Sequence, residues 1–383
     1  MELLELERRL IGFDTVSAHS NLALIEFLEG RLKALGLRVE LFPNADGNKA
    51  NLLATLGAPD TPGLMLSGHT DVVPVEGQAW SSDPFTLTPG DGRFYGRGTA
   101  DMKSFLAQVL LAVQAVRHRR LRLPLHVAAT YDEEVGCLGA GDMLRQLAAA
   151  GRMLPRCAVI GEPTGFQVFS MHKGMCRVRV GIKGVEGHSS KPNMGANALY
   201  PAARIIQQLA ELEAERRARR SYEDAFELPY TTVNAAVVHG GTAFNIIPNR
   251  CDLEFEFRTM PGEDPDYVLR QVQGFVDEVV LPDLRRQHGD TDIRVEKVMQ
   301  GAPMLTPPGT EIEALALELT GRSRSGAAPY YTEGALYNAA GIPTVICGPG
   351  DIDQAHRANE FITAEQLQAG LPFLGRLIER VCL

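Results

Sequence analysis

Residues 64–74 read LMLSGHTDVVP. The apolar run of Leu64, Met65 and Leu66 is short and unbroken, as in a strand buried on both faces, and such strands belong in sheets covered by helices on either side. The run ends in an imidazole and a carboxylate, His69 and Asp71, two residues apart. In extended chain, residues two apart share a side. A buried strand that delivers two polar groups to one side at its carboxyl end suggests a site at the rim of a sheet.

The surrounding sequence supports that sheet. Helical patterns cover residues 2–11 and 21–35, and short apolar strands cover 37–42 and 50–56. Downstream come a long helix over 103–118, a strand over 125–131, a helix over 140–150 and a strand over 158–160. Helices alternating with near-continuous apolar strands predict an α/β domain. The pattern changes near residue 176. RVRVGIKGV (177–185) and DLEFEFR (252–258) alternate polar and apolar residues, as antiparallel strands with one solvated face do. Amphipathic helices at 196–218 and 264–280 accompany them, giving the order strand-helix-strand-strand-helix-strand of a ferredoxin-like layer. After about residue 298 the first pattern returns, with a helix over 312–319, a strand over 344–347 and a closing helix over 364–381. The expected organisation is a discontinuous catalytic domain, 1–174 and 297–383, with an α+β domain over 175–296 inserted into it.

Bulk properties exclude several functions. The 383 residues carry a net charge of −9, which argues against a general grip on nucleic acid. The most apolar helical stretch, FLAQVLLAVQAV (105–116), is too short to span a bilayer and holds two glutamines, so no membrane segment is expected. The opening MELLELERRL has acids among its apolar residues and no basic region; it reads as an amphipathic helix and not as a signal peptide. Six cysteines, at 137, 157, 176, 251, 347 and 382, form no C-x-x-C pair. They read as reduced thiols of a cytoplasmic protein.

Four apolar strands end alike. The first leads to His69 and Asp71, the second to Asp132, Glu133 and Glu134, the third to Glu162, and the fourth through GPGDIDQAH (348–356) to His356. A further acid, Asp101, precedes the long helix in GRGTADMKSF (96–105). Ligands of open α/β sheets bind beyond the carboxyl ends of strands, so these endings are expected to meet in one place. Each residue has a plainer reading alone: Asp101 as a helix cap, Glu133 and Glu134 as a solvated turn, Glu162 as a loop acid, His356 as an exposed loop histidine. Together, two histidines and several carboxylates make a mixed nitrogen and oxygen set suited to a catalytic divalent metal. Asp71 reads as a clamp that fixes the His69 ring. Glu133 and Glu134 point different ways in extended chain; one can ligate while the other acts as general base on the attacking water. The residues alone do not say which.

The motifs SGHTDVVP (67–74), YGRGTADMKSFLA (95–107), DEEVGCLGA (132–140), GEPT (161–164), GVEGHSSKPNMGANA (184–198) and QAHRANEF (354–361) resemble, in order and over nearly the whole chain, the dinuclear-zinc (M20-like) amidohydrolases and exopeptidases of the aminoacylase and carboxypeptidase type. The resemblance implies a zinc-exopeptidase-like catalytic domain, its central mixed sheet covered by helices, and an inserted lid and dimerisation domain. It implies two Zn²⁺ ions, with Co²⁺ able to replace them. Asp101 would bridge the ions, His69 and Glu162 would complete one site, and Glu134 and His356 the other, leaving Glu133 as base. Asp101–Met102 becomes a candidate cis peptide. His188 in EGHSS would reach the active site of the neighbouring subunit of a homodimer. Asn245 in GTAFNIIPNR (241–250) and Arg258 in FRTMPG (257–262) would contact substrate, the guanidinium fork suiting a carboxylate. DPFTLTPGDGRFYGRGTADMK (83–103), HKG (172–174) and GPGDIDQAH are similar to the acetylornithine deacetylase branch, whereas Asp351 and YYTEGALYNAAGIP (330–343) are less typical of it. The implied reaction is hydrolysis of a small-molecule acylated amino acid, N2-acetyl-L-ornithine first, with succinyl-diaminopimelate, other acyl amino acids and dipeptides as alternatives. A metal-free binding relative is the alternative of another class. Glu333, Asp351 and Asp353 are the acids available to an ornithine ammonium.

Overall fold

In the computed structural model, which describes residues 2–222 and 224–383, the apolar run at 64 is the strand Leu64–His69, buried at every position. Leu64 and Leu66 join one hydrophobic cluster with Phe105, Val109 and Leu110 of the helix Lys103–Val116; Met65 joins another with Met143, Leu147 and Tyr337. Successive side chains of a strand point to opposite faces, so these two clusters are the two helical layers that the run predicts.

The strand sits between Leu125–Thr130 and Cys157–Ile160, parallel to both, and Thr344–Ile346 extends the parallel set beside Cys157–Ile160. Leu66 lies in register with Val127 on one side and Val159 on the other. Antiparallel strands flank this centre: Ala50–Leu56 and then Arg38–Pro43 beyond Leu125–Thr130, and Phe169–His172 beyond Thr344–Ile346. The central sheet is therefore mixed and covered by helices, as expected. The chain leaves Leu64–His69 for the neighbour on one side and later returns to the neighbour on the other. That places a topological switch point, the usual ligand crevice of such sheets, at the carboxyl end of Leu64–His69. Gly161 allows the close packing there: a Cβ at this position would fall 2.0 Å from Phe105 Cγ. Three strands absent from the sequence reading, Thr88–Gly90, Arg93–Tyr95 and Phe361–Thr363, form a separate small sheet. Each has three residues, too few to show a period.

The chain divides into two compact units: residues up to Met171 with Met304–Ala328 and Thr332–Leu383, and His172–Pro303 with Pro329–Tyr331. In the second unit four antiparallel strands lie in the order Thr232–Gly240, Arg250–Arg258, Met175–Lys183, Asp292–Gly301. With the intervening helices this is the ferredoxin-like arrangement. Val178, Val180, Leu253, Phe255 and Phe257 face Ile205, Leu209 and Leu212 of the helix Leu199–Arg217 and Val268 and Val272 of the helix Tyr267–Phe275. Alternate positions carry charges such as Arg177, Arg179 and Glu254, which pair with one another. The second helix outruns its expected end at 280. It continues through a π turn, Val276–Val280, into Leu281–Gln287. Pro282 has no N–H to donate to the preceding turn, and the widened turn accommodates that missing bond.

All six cysteines are free and buried. No helix among the described residues is long and apolar enough to cross a membrane.

Candidate active site

The carboxyl ends of the four parallel strands bring together His69, Glu133, Glu134, Glu162 and His356, and Asp101 joins them from the turn before the helix Lys103–Val116. His69, the last residue of its strand, has Nδ1 2.9 Å from the carbonyl oxygen of Asp71. With Nδ1 donating there, Nε2 is turned toward the acids, where it donates to Asp101 and would offer its lone pair to a cation that took the proton's place. That Nε2 lies 2.9 Å from Asp101 Oδ1 and 3.7 Å from Glu162 Oε1. The other oxygen of Asp101, Oδ2, lies 3.3 Å from His356 Nε2, which is itself 3.0 Å from Glu134 Oε2. Asp101 thus turns one oxygen to each histidine. Ligand atoms of His69, Asp101 and Glu134 all fall within 4.8 Å of one another, as do those of His69, Glu133 and Glu162. The Asp101–Met102 peptide is cis.

Asp71 is central but works differently from the sequence reading. Its carboxylate oxygen is 3.7 Å from His69 Nδ1, whereas its backbone carbonyl holds the ring. The carboxylate instead accepts the backbone N–H of Glu133 at 3.0 Å, that of Glu134 at 3.2 Å and the Ser17 hydroxyl at 2.7 Å. It therefore ties two strand ends together. Lys49 pairs with the adjacent Asp132 and donates to the Ser17 carbonyl.

The electrostatics are those of crowded anions. Burial raises the Glu133 carboxyl well above its ordinary value, with the neighbouring acids adding to the rise. Burial, then Asp101 and Glu133, does the same to Glu162. Burial and the Asp101 charge push Glu134 up to about 7. Hydrogen bonds to Asp101 and Glu134 lift His356 to about 10. Burial opposes a charge on His69, but the hydrogen bond to Asp101 and the nearby acids outweigh it and hold its pKa well above normal. Asp101, despite burial, is held well below the usual carboxylate range by the two histidines. Among the described residues no lysine or arginine pairs with Asp101, Glu133, Glu134 or Glu162. Glu134 Oε1 and Glu162 Oε1 are buried and accept no hydrogen bond from the described residues. Buried anionic oxygens without donors are costly unless a cation compensates them. Two imidazoles with carboxylates are a suitable donor set for divalent transition metals, so the residues present fit metal binding.

Sequence reasoning missed the supports behind this shell. Glu360, fully buried, accepts the backbone N–H groups of Gly98, Ala100 and Asp101 on one oxygen and the Arg97 guanidinium on the other. Arg97 and Glu360 stand inside the matched motifs, but their sequence neighbours are polar and nothing there marks the two as a buried pair. Glu333 is also buried: its carboxylate accepts the hydroxyls of Ser67, Thr130 and Tyr337. It is therefore closed to a ligand ammonium. Asp351 and Asp353 are exposed, with the Asp351 carboxylate capping the Asp353 N–H.

In the second unit, His188 pairs with Ile246 in a two-stranded ribbon, next to Asn245. Its Nδ1 accepts the Ser190 N–H at 3.2 Å and lies 2.8 Å from the Ser190 hydroxyl, leaving Nε2 outward on an exposed side chain. Arg258 lies at the far end of the strand Arg250–Arg258 and pairs with Glu256 at 3.2 Å.

Comparison with known proteins gives the chain's relatives. Residues 65–380 match the peptidase family M20/M25/M40. The chain is 37% identical over 387 residues to the acetylornithine deacetylase of Proteus mirabilis (strain HI4320), an alignment covering 99% of this chain and 97% of that one. Among solved structures it is similar to an M20-family metallo-carboxypeptidase from Sulfolobus solfataricus, with a TM-score of 0.77, 19% identity and 99% of each chain covered. It is likewise similar to a dinuclear metal-binding M20-family peptidase from Bacillus subtilis, with a TM-score of 0.69, 16% identity and coverage of 98% and 96%. At such identities the two structures speak for a shared fold.

Proposed function

We propose that this chain, which belongs to peptidase family M20/M25/M40, is a hydrolase that cleaves the amide bond of N-acyl amino acids, with N2-acetyl-L-ornithine as substrate and L-ornithine and acetate as products. The observation that carries the reading is Asp101, whose two oxygens face His69 and His356 separately, with Glu162 beside one histidine and Glu134 beside the other. His69, Asp101 and Glu162 would hold one Zn²⁺, and Asp101, Glu134 and His356 a second, Co²⁺ being able to serve in their place. Such ions supply Lewis acidity that polarises the acyl carbonyl and lowers the pKa of water toward about 7.

The chain's own groups then do the proton work. Glu133 takes a proton from the attacking water as the new C–O bond forms. It returns that proton to the amide nitrogen as the C–N bond breaks, releasing the amine. His188 of the neighbouring subunit donates to the tetrahedral oxyanion through Nε2, and Asn245 and Arg258 hold the substrate, the Arg258 guanidinium donating to the substrate's carboxylate. A homodimer is part of the reading. Its support is the strand Thr232–Gly240, an edge strand with Val237 and Val238 exposed, and Phe244 in the segment that follows it, whose side chain is 98% exposed. Open strand edges and exposed aromatic groups are surfaces that a partner covers. The activity fits the arginine branch of amino-acid biosynthesis in the cytoplasm.

The test is a substrate panel of acetylornithine, succinyl-diaminopimelate, other acyl amino acids and dipeptides, assayed with and without chelator. Acetylornithine should turn over fastest, chelation should abolish turnover, and added Zn²⁺ should restore it. A higher kcat/KM for another panel member would replace the substrate. Full activity after complete metal removal would overturn the chemistry.

A further inference from the structure

We infer that Gln78 is a positioning residue for His356 and thereby sets how tightly the His356–Glu134 half of the site holds its ion. The inference rests on the two-ion reading above. His356 and Asn359 both adopt left-handed backbone conformations, at φ of 60° and 57°. Residues with a Cβ rarely adopt this conformation and keep it only where the surroundings enforce it. Two hydrogen bonds from the segment 78–81 reach these two residues. Gln78 Nε2 donates to the His356 carbonyl at 3.0 Å, and the Ser81 N–H donates to Asn359 Oδ1 at 2.8 Å.

The Gln78 amide is itself oriented. Its Oε1 accepts from Trp80 Nε1 at 3.1 Å and from Arg97 Nη2 at 2.7 Å. Indole and guanidinium nitrogens only donate, so the amide oxygen must face them and the amide nitrogen must face His356. Arg97, its Cζ 5.1 Å from the centre of the Trp80 ring, then donates to Glu360 Oε2 at 2.7 Å. Glu360 Oε1 in turn accepts the Asp101 N–H at 3.0 Å. An unbroken chain of polar contacts thus runs from the backbone of Asp101 through Glu360, Arg97 and Gln78 to the backbone of His356. His69 stands outside this chain, anchored by the strand Leu64–His69, and so does Glu162, which follows the strand Cys157–Ile160. Asp101 stays held through Glu360, whose backbone donors Gly98, Ala100 and Asp101 do not involve Gln78, so breaking the Gln78 link loosens His356 and spares the half held by His69 and Glu162.

Chelator-treated protein titrated with Zn²⁺ in equilibrium dialysis, and with Co²⁺ followed by its visible spectrum, tests this. Wild type should take up two ions. Gln78→Ala removes all three contacts of the amide. Gln78→Glu keeps an acceptor for Arg97 and Trp80 but sets an oxygen against the His356 carbonyl, so it isolates the bond that matters and guards against a folding defect in the first variant. In both, the ion held by Glu134 and His356 should bind at least about tenfold more weakly, the range expected when a ligand loses its supporting bond. The affinity of the ion held by His69 and Glu162 should be unchanged, and high metal should restore turnover. Two ions bound with wild-type affinities in both variants would overturn the inference, as would equal weakening of both ions. Wild-type protein that binds fewer than two ions would instead overturn the two-ion reading itself.

Discussion

Glu133 and Glu134 have their backbone N–H groups held by the same Asp71 carboxylate, yet their side chains diverge. Glu134 faces His356, whereas among the described residues the Glu133 side chain has only the Cys137 thiol as a hydrogen-bond donor, at 3.3 Å. Distance alone does not separate base from ligand, because Glu133 also lies within reach of His69 and Glu162. Substitution separates them. Glu133→Gln should keep both ions and lose on the order of 10² to 10⁴ in kcat. Glu134→Gln should lower metal content first. Metal analysis beside kcat decides it, and a Glu133→Gln variant with near-normal turnover would move the base elsewhere. The residue types of this shell were legible because polar groups at the ends of apolar strands stand out. Their supports were not. Asp71 acts partly through its carbonyl, which no side-chain identity reveals, and Glu360 precedes a three-residue strand that carries no periodic signal.

At the scale of elements, the helix Leu3–Ile11 shows what an amphipathic pattern hides. Its buried face includes Glu7 as well as Leu6, Leu10 and Ile11, and Glu7 meets Ser104 of the helix Lys103–Val116. Burial, against the opposing effects of Ser104 and Lys103, pushes the Glu7 carboxyl up to about 8. Burial likewise pushes the neighbouring Lys103 down to about 7. The folded pKa of Glu7 therefore exceeds its unfolded value of 4.5. Between these values the native state binds a proton that the unfolded chain has released. Its contribution is complete below pH 4.5 and is lost as pH rises through about 8, at roughly 1.4 kcal/mol per pH unit inside that window. Glu7→Gln keeps an acceptor for Ser104 and cannot ionise. Urea denaturation should find it close to wild type at about pH 5 and more stable by on the order of a few kcal/mol at about pH 8. A stability difference that does not change with pH would mean that Glu7 does not take up a proton on folding. The helix was legible from its periodicity. The ionisable group in its core face was not, because a period reports which positions turn inward and not the charge state kept there.

For the whole molecule, the change from continuous to alternating apolar pattern near residue 176 made the ferredoxin-like layer readable, since one-faced burial imposes period two on its strands. A partner chain leaves no comparable period, so the trans role of His188 needs a test of its own. Glu133→Gln and His188→Ala should each be nearly inactive as homodimers while retaining metal. Mixed after subunit exchange in equal amounts, half of the dimers carry one subunit of each kind. If His188 serves the neighbouring subunit, each mixed dimer contains one site with an intact Glu133 and an intact His188, and a second site lacking both. Activity should then return to roughly a quarter of the wild-type value. If His188 serves its own subunit, no mixed dimer contains a complete site, and the mixture should stay as inactive as its components. Sedimentation of the mixture checks that dimers persist. Recovery of activity in the mixture places His188 in trans, and a silent mixture of confirmed hetero-dimers removes it from the neighbouring site.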